Sequence, residues 1–395
     1  MLRDRESNIW VGTSWGLLRV NEKGVSFSDE TALGTSGAVN ALFEDREGNL
    51  WVGGTNGLER IRDSAFVTYS KTTGLPSEHN GPIYADEENR IWSGSTDGGL
   101  YWVAKDRQVT VRDAGLEKDE VYSIAGQNGD IWIGRQHGGL TNLHYHGASL
   151  SSLTYTERNG LAQSSVFAVY QSKDRAVWAG TLSGGVNRFK EGRFTTYTST
   201  SGLASNTINS ILETRDETMW FATSNGLSSL FKDQWKTITT AGGLPSATVN
   251  CLFEDSAAIL WAGTSEGLVF LSSGHVQAPD NVPELLHGQV FGIAEDKNGW
   301  FWIATANHVL AVGRDKLIAG KVGASDLRDY GSEDGLLSNE GVKRNNSVIS
   351  DSSGRIWFSL SRGLSVTDPS HLTAYSPPAI THVVGISADG SPVSD

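Results

Sequence analysis

The 395-residue chain has one cysteine, Cys251, and only nine prolines. A single thiol excludes an internal disulfide framework and any cysteine-based zinc or iron–sulfur site. No run of about 18 apolar residues occurs, so no membrane-spanning helix is expected. Met1-Leu2-Arg3-Asp4 leads straight into charge, without the apolar stretch of a secretory leader. Charged residues make up 19% of the chain and leave a net charge of −13, spread along the whole length. That balance repels nucleic acid and acidic membrane surfaces, and neither is expected as a partner. What is abundant is glycine, 46 residues against 38% hydrophobic residues, the balance of a folded, turn-rich protein of short strands.

Length alone would predict two or three domains, but a repeat dominates the sequence. Nine tryptophans mark it: Trp10, Trp51, Trp92, Trp132, Trp178, Trp220, Trp261, Trp302 and Trp357. Successive spacings are 41, 41, 40, 46, 42, 41, 41 and 55, so the last unit carries an insertion. The segment Gly243 to Leu271 shows the parts most clearly. Gly-Leu-Pro-Ser is a turn, because Gly accepts positive φ and Pro cannot extend a strand ladder. Val249, Cys251 and Phe253 alternate with Asn250, Leu252 and Glu254, the period of a strand. An acidic turn at Asp255 leads to a second strand, Leu260 to Thr264, and the turn Ser265-Glu266-Gly267 leads to a third. Patterns such as Phe194-Thr195-Thr196-Tyr197 supply a fourth. Four short antiparallel strands per repeat of about 41 residues make one blade of a β-propeller. A small residue follows two places after every marker tryptophan, Gly12 and Gly263 among them, which lets a neighbouring sheet approach closely. The fold expected is therefore all-β, either a seven-bladed ring plus two extra blades or one ring of eight or nine. The chain is expected to open inside a repeat whose first strand is missing, since Ile9 to Thr13 is already a second strand.

With its GL(P/A)S turn, acidic turn, LWVGT strand and following GL, the repeat resembles the two-component regulator propeller family. The quoted matches are Ala38 to Leu58 and Gly202 to Leu227. Asp368-Pro369 followed by Tyr375-Ser376-Pro377-Pro378 is similar to the start of the immunoglobulin-like triple-tyrosine domain that follows such propellers. On this reading residues 1–373 are propeller repeats, with 1–80 the remnant of a preceding propeller and 81–373 a complete ring. Residues 374–395 are then a linker and the first strand of the next domain. The resemblance implies the periplasmic, ligand-sensing, non-catalytic part of a sensor histidine kinase or similar receptor, dimeric at full length. No kinase, phosphoacceptor or helix-turn-helix motif occurs within these residues.

Most apparent chemistry dissolves into the repeat. Ser14 and Ser265 sit in Gly-x-Ser-x-Gly matches, but strand follows strand there, whereas a nucleophile elbow needs a strand-turn-helix. The Asp turn, as in Asp45-Arg-Glu-Gly48-Asn-Leu-Trp51, loosely resembles the Asp-box of sialidase propellers, which shapes hairpins away from the active site. His144 and His146 have metal-ligand spacing without a third ligand nearby, and Cys251 reads as a small buried hydrophobe. No metal, cofactor or catalytic residue is expected.

Ligand binding is the better expectation, at loops that a rigid scaffold presents. Connections between blades and between second and third strands share one face of a propeller. The repeat-breaking residues after the marker strand are Trp15, Asn56, Asp97, Arg135, His137, Asn225, Glu266, His308 and Arg362. Before the first strand they are Glu78, His79, Glu117, Lys118, Asn206 and Asn339. Of these, Trp15, Asp97, Arg135, His137, Asn225, Glu266, His308 and Arg362 are the expected ligand-binding set. Trp, Arg, His and carboxylates together suit a small polar ligand such as an oligosaccharide.

Overall fold

A computed structural model describes residues 1–21, 24–27, 37–45, 48–61, 64–104, 107–112, 115–146, 149–272, 274–323, 325–372, 387–388 and 391–392. It divides into two compact units, Met1–Ser64 with Leu372–Asp395, and Ala65–His371.

The first unit holds two sheets built from the first two repeats. One pairs Leu2–Arg3, Ile9–Thr13, Gly16–Asn21 and Gly24–Phe27 in order. Leu2 pairs with Trp10 and Arg3 with Ile9, so the repeat expected to lack its first strand has a two-residue one. The other sheet has three strands, Val39–Glu44, Leu50–Gly54 and Gly57–Ile61. Trp10, Leu17, Leu50 and Val52 form the core between them. The first strand expected for an immunoglobulin-like domain lies outside the described residues, apart from a short pair of Ser387–Ala388 with Ser391–Pro392.

The second unit is a circuit of seven four-stranded antiparallel blades. The innermost strands are Asn80–Ala85, Val121–Gln127, Val166–Gln171, Ile208–Glu213, Val249–Glu254, Val290–Glu295 and Val348–Ser350, each against the next and the last against the first. Blades are numbered 1 to 7 in that order below. Blade 7 takes its outermost strand from the start of the unit, where Val67–Tyr69 pairs with Leu364–Thr367. The boundary expected at 80/81 therefore lies at 64/65, because residues 67–69 belong to the last blade.

Each repeat part has a physical role. In the acidic turn of blade 5, the Asp255 carboxylate accepts the backbone N–H groups of Ala257 (2.9 Å) and Ile259 (2.8 Å) and the Trp261 indole N–H (2.9 Å). The same indole bond recurs at Asp4, Asp45, Asp86, Asp296 and Asp351, and blade 3 substitutes the Ser172 hydroxyl at 3.3 Å. Three residues before every marker tryptophan the backbone is left-handed, at Gly48, Gly129, Gly299 and Gly354 and also at Ser7, Asn89, Arg175, Glu217 and Ala258. Glycine is favoured there but not required, because hydrogen bonds to the aspartate fix the turn around it. The leucine of the Gly-Leu turn is buried at the blade junctions, at Leu75, Leu116, Leu161, Leu203, Leu244 and Leu336, with Leu286 in its place before blade 6, where the sequence reads Glu284-Leu285-Leu286. The small residue after the tryptophan keeps blades close. A Cβ at Gly94 would lie 2.4 Å from Val121 Cβ of the next blade, and one at Gly180 2.6 Å from Ile208 Cβ.

The long spacing before Trp357 resolves into two insertions. One joins the third and fourth strands of blade 6 and contains a short helix, Arg314–Ile318, whose Leu317 is fully buried. The other lies inside the first strand of blade 7. Gly341 bridges Leu360 and Ser347 O accepts Ser359 N–H, so residues 342–346 leave the ladder between them.

Candidate functional site

In the seven-blade unit, the connections entering each innermost strand and those joining second to third strands share one face. The structure spreads the expected residues around it. At blade 1, Asp97 Oδ2 accepts the Ser77 hydroxyl at 2.7 Å and lies 3.3 Å from His79 Nδ1. The Ser77 bond, with help from His79 and against a small desolvation effect, holds the Asp97 carboxyl below its usual range. Arg362 of blade 7 reaches Glu78 at 3.8 Å, so these two expected residues meet at one junction. His308 of blade 6 lies 2.9 Å from Asp329. Asn225 and Glu266 stand exposed on blades 4 and 5, their backbone N–H groups taken by Thr223 and Thr264 in the turns that carry them. Of the remaining positions before first strands, Asn206 accepts the Ser199 N–H at 2.7 Å, a turn role.

Two expectations are corrected. Trp15 lies in the Met1–Ser64 unit and not among the seven blades of Ala65–His371, and it is 85% exposed. Arg135 is buried, with its guanidinium committed: Nε donates to Asp119 at 3.0 Å, Nη2 to Gly115 O, and Nη1 to Thr141 at 3.4 Å. Asp119 also accepts the Gly138 N–H at 2.7 Å, so the pair shapes the turn that carries exposed His137. Arg135→Ala is expected to lower unfolding free energy by about 2–3 kcal/mol, because it strands a buried carboxylate. Chemical denaturation measures this, and a change under about 0.5 kcal/mol would return Arg135 to the pool of free surface residues.

Cys251 is buried against Gly263, and desolvation pushes its thiol up to about 12, so it is unreactive. His144 lies 2.7 Å from Asp130, and among the described residues no group of three metal-ligating side chains occurs.

The residues that matter most at the centre of the face were not singled out from the sequence. Arg344, in the blade 7 insertion, pairs with Glu120 and lies 4.7 Å over the Tyr122 ring, which stacks on Phe167 at 4.4 Å. Asn345 next to it spans three blades. Its Nδ2 donates to Ser123 Oγ at 3.2 Å and Val169 O at 3.4 Å, and its Oδ1 accepts Ser210 Oγ at 2.9 Å. On the other side Asn346 O accepts the Ile83 N–H at 3.0 Å. The insertion thus crosses the central channel from blade 7 to blades 1, 2, 3 and 4 and closes it. Its sequence signal was the 55-residue spacing.

The two-component regulator propeller model matches residues 34–56, 202–225 and 284–307, the last in blade 6. These are two-component regulator propeller repeats. Among solved structures, the extracellular domain of the hybrid two-component system BT3049 from B. thetaiotaomicron is similar over all of this chain and 60% of its own, at 20% identity and TM-score 0.72. That of the one-component system BT4673 from the same organism gives 17%, 0.62 and 55% of its chain. This propeller chain therefore spans about three-fifths of the length of those structures. Virginiamycin B lyase from Staphylococcus aureus matches 76% of this chain and 97% of its own at 9% identity and TM-score 0.55, which shows a shared fold. No curated protein sequence matches the chain.

Proposed function

We propose that these residues are the extracytoplasmic, ligand-sensing part of a two-component signal-transduction receptor, and that the Ala65–His371 ring binds a small polar ligand, such as an oligosaccharide, on its loop face. The observation that carries this reading is the closed channel. An insertion found in one blade only sets Arg344 and Asn345 across the face against Glu120 and Tyr122, with exposed Asp97, His137, Asn225, Glu266 and Arg362 and half-buried His308 on the loops around it. A rigid loop face that presents repeat-breaking side chains suits recognition. The repeat family and the likeness to sensor extracellular domains support the same reading. In it the protein lies in the periplasm, itself non-catalytic, and the Met1–Ser64 blades end a preceding propeller. Binding biases a dimeric receptor toward one of two arrangements through different affinities for the two, and a histidine kinase or other output domain reads the result.

Ligand-dependent output of the full-length receptor tests this. Combined Asn225→Ala, Glu266→Ala and His308→Ala changes are expected to raise the concentration for half-maximal output at least tenfold, with melting temperature kept. Unchanged output would remove this face from the sensing role. Turnover of a glycan panel by the isolated protein would favour a propeller glycan hydrolase or lyase instead.

A further inference from the structure

The outermost strand of each blade is an edge, a row of backbone N–H and C=O groups open to pairing with another strand. Six of the seven blades of Ala65–His371 keep that edge short or charged. Arg107–Val111, Arg193–Tyr197 and Gln234–Ile238 run five residues and carry Arg107, Arg193 and Lys236. Leu327–Tyr330 runs four and carries Arg328 and Asp329, while His275–Gln277 and Val67–Tyr69 stop after three. Blade 2 departs on both counts. Its outermost strand, Ser149–Tyr155, reads Ser-Leu-Ser-Ser-Leu-Thr-Tyr, seven residues with no charge and no proline.

Nothing in the geometry of that strand blunts the edge either. All seven residues pair with Leu140–His146 in one unbroken register, from Tyr155 opposite Leu140 to Ser149 opposite His146, so no bulge turns the strand away. The strand is also held firmly. Leu150 packs against the core shared by blades 1 and 2, the Thr154 hydroxyl lies 2.9 Å from that of Thr141, and Tyr155 stacks on Trp132. Between these anchors Ser151, Ser152 and Leu153 are exposed, Leu153 by 55%. Pairing such an edge orders little and desolvates no charge, so neither cost opposes it.

We propose that Ser149–Tyr155 pairs antiparallel with the same strand of a second copy of this chain, about a two-fold axis at Ser152, joining two four-stranded blades into one eight-stranded sheet. This register pairs all seven residues, with Leu150 opposite the partner's Thr154 and Ser151 opposite the partner's Leu153. The two Leu153 side chains then lie diagonally across the pair and cover surface that each leaves exposed alone. No charged side chain of the strand meets a like charge, which matters in a chain of net charge −13. An isologous contact uses one patch twice, and every second copy brings a strand of the same length and the same lack of charge. One strand pair buries less than the roughly 1,200 Å² of a standard interface, so the contact is weak between free chains and strengthens when two receptors share a membrane. The inference deepens the dimeric reading of the receptor and rests on it.

Cross-linking of the whole chain tests it. Cys251 is buried, so a Ser152→Cys chain offers a single reachable thiol. Opposed residues of an antiparallel pair have Cα atoms about 4.5–5.5 Å apart, within disulfide range. Under copper–phenanthroline oxidation Ser152→Cys is expected to form linked dimer at least tenfold faster than Thr195→Cys, an exposed site at the centre of the blade 3 edge. Adding Leu153→Lys should return the rate to that of Thr195→Cys with melting temperature kept. Sedimentation of the unmodified chain should show average mass rising with concentration, and Leu153→Lys should remove the rise. Equal linking rates at the two sites overturn the proposal. Linking or mass increase that Leu153→Lys leaves unchanged also overturns it, because the contact then lies elsewhere. A chain that stays monomeric at every concentration and links no faster than the control overturns it too, and leaves the edge to an extended segment of another protein. These readouts are independent of Asn225, Glu266 and His308, so failure here is distinguishable from failure of the loop face as the sensing face.

Discussion

Asp255→Ala is expected to lower the unfolding free energy by about 3–5 kcal/mol, the range for removing one partner of a buried ion pair. The carboxylate is fully buried and holds four groups at once: two backbone N–H groups of its turn, the Trp261 indole, and Arg314 Nε at 2.6 Å from the helix inserted in blade 6. Removing it strands a cation and an indole between blades 5 and 6. Ser172→Ala in blade 3 is the internal comparison. A neutral hydroxyl there bonds Trp178 at 3.3 Å, and its loss should cost only about 1 kcal/mol. Equilibrium denaturation of the two variants side by side decides it, and equal losses would mean that the aspartate contributes no more than any hydrogen-bonding turn residue. Acid provides a second readout. Burial pushes the Asp255 carboxyl upward, but the bonds from Trp261, Arg314 and the Ile259 backbone together outweigh it and the net shift is downward. A carboxyl depressed in the folded state stabilises fully above its unfolded pKa and loses that contribution as pH falls through the folded value. The gap between wild type and Asp255→Ala should therefore be constant near neutrality and narrow below about pH 4.

The aspartate turn was legible in the sequence because it is local. Asp, a left-handed position and Trp recur at fixed offsets, and the same chain segment closes the hydrogen bonds. The leucine of each Gly-Leu turn and the small residue after each tryptophan were legible for the same reason. What was hidden depends on contacts between distant segments. Arg135 looked like a free cation in a loop, and only the fold brings Asp119 and the Gly115 carbonyl beneath it. Asn345 gave no signal as a residue type, since its partners Ser123, Val169 and Ser210 lie on three other blades. The spacing of 55 announced that something had been inserted before Trp357. It did not show that the added residues fall in two places, one clamping blades 5 and 6 through Arg314 and one closing the channel. In the sequence Asn250 falls in a plain alternation with Val249 and Cys251. The bulge before Cys251 breaks that alternation, and a period of two cannot report a one-residue slip.

Ring closure yields the other large effect. Phe66→Ala is expected to cost about 3–5 kcal/mol, the range for truncating a buried aromatic ring. Phe66 is 2% exposed and meets Tyr330 at 5.2 Å, Phe358 at 5.8 Å and Trp302 at 6.3 Å, all edge-on, so one ring from the start of the unit joins the aromatic groups of blades 6 and 7. Its N–H donates to Asp334 O at 2.9 Å, and Thr68 just beyond it bonds Gly335 O and Ser365, each at 2.8 Å. These hydrogen bonds span more than 260 residues of chain, so their loss releases the strand that completes blade 7 and not a local turn. Thermal melting should show a large drop in Phe66→Ala. Limited proteolysis should show new cleavage between residues 65 and 80 before the rest of the ring is cut. A loss under about 1 kcal/mol with no new cleavage would mean that the main-chain ladder of Val67–Tyr69 holds the ring shut unaided. The same opening would reach the channel. Arg362 and Glu78 meet at the junction of blades 7 and 1, and the insertion that carries Lys343, Arg344 and Asn345 starts from the first strand of blade 7. Phe66→Ala is therefore expected to weaken ligand binding at this face as well as stability, whereas Asp255→Ala, acting at a turn on the opposite end of its blade, should reduce stability with affinity retained in the folded fraction.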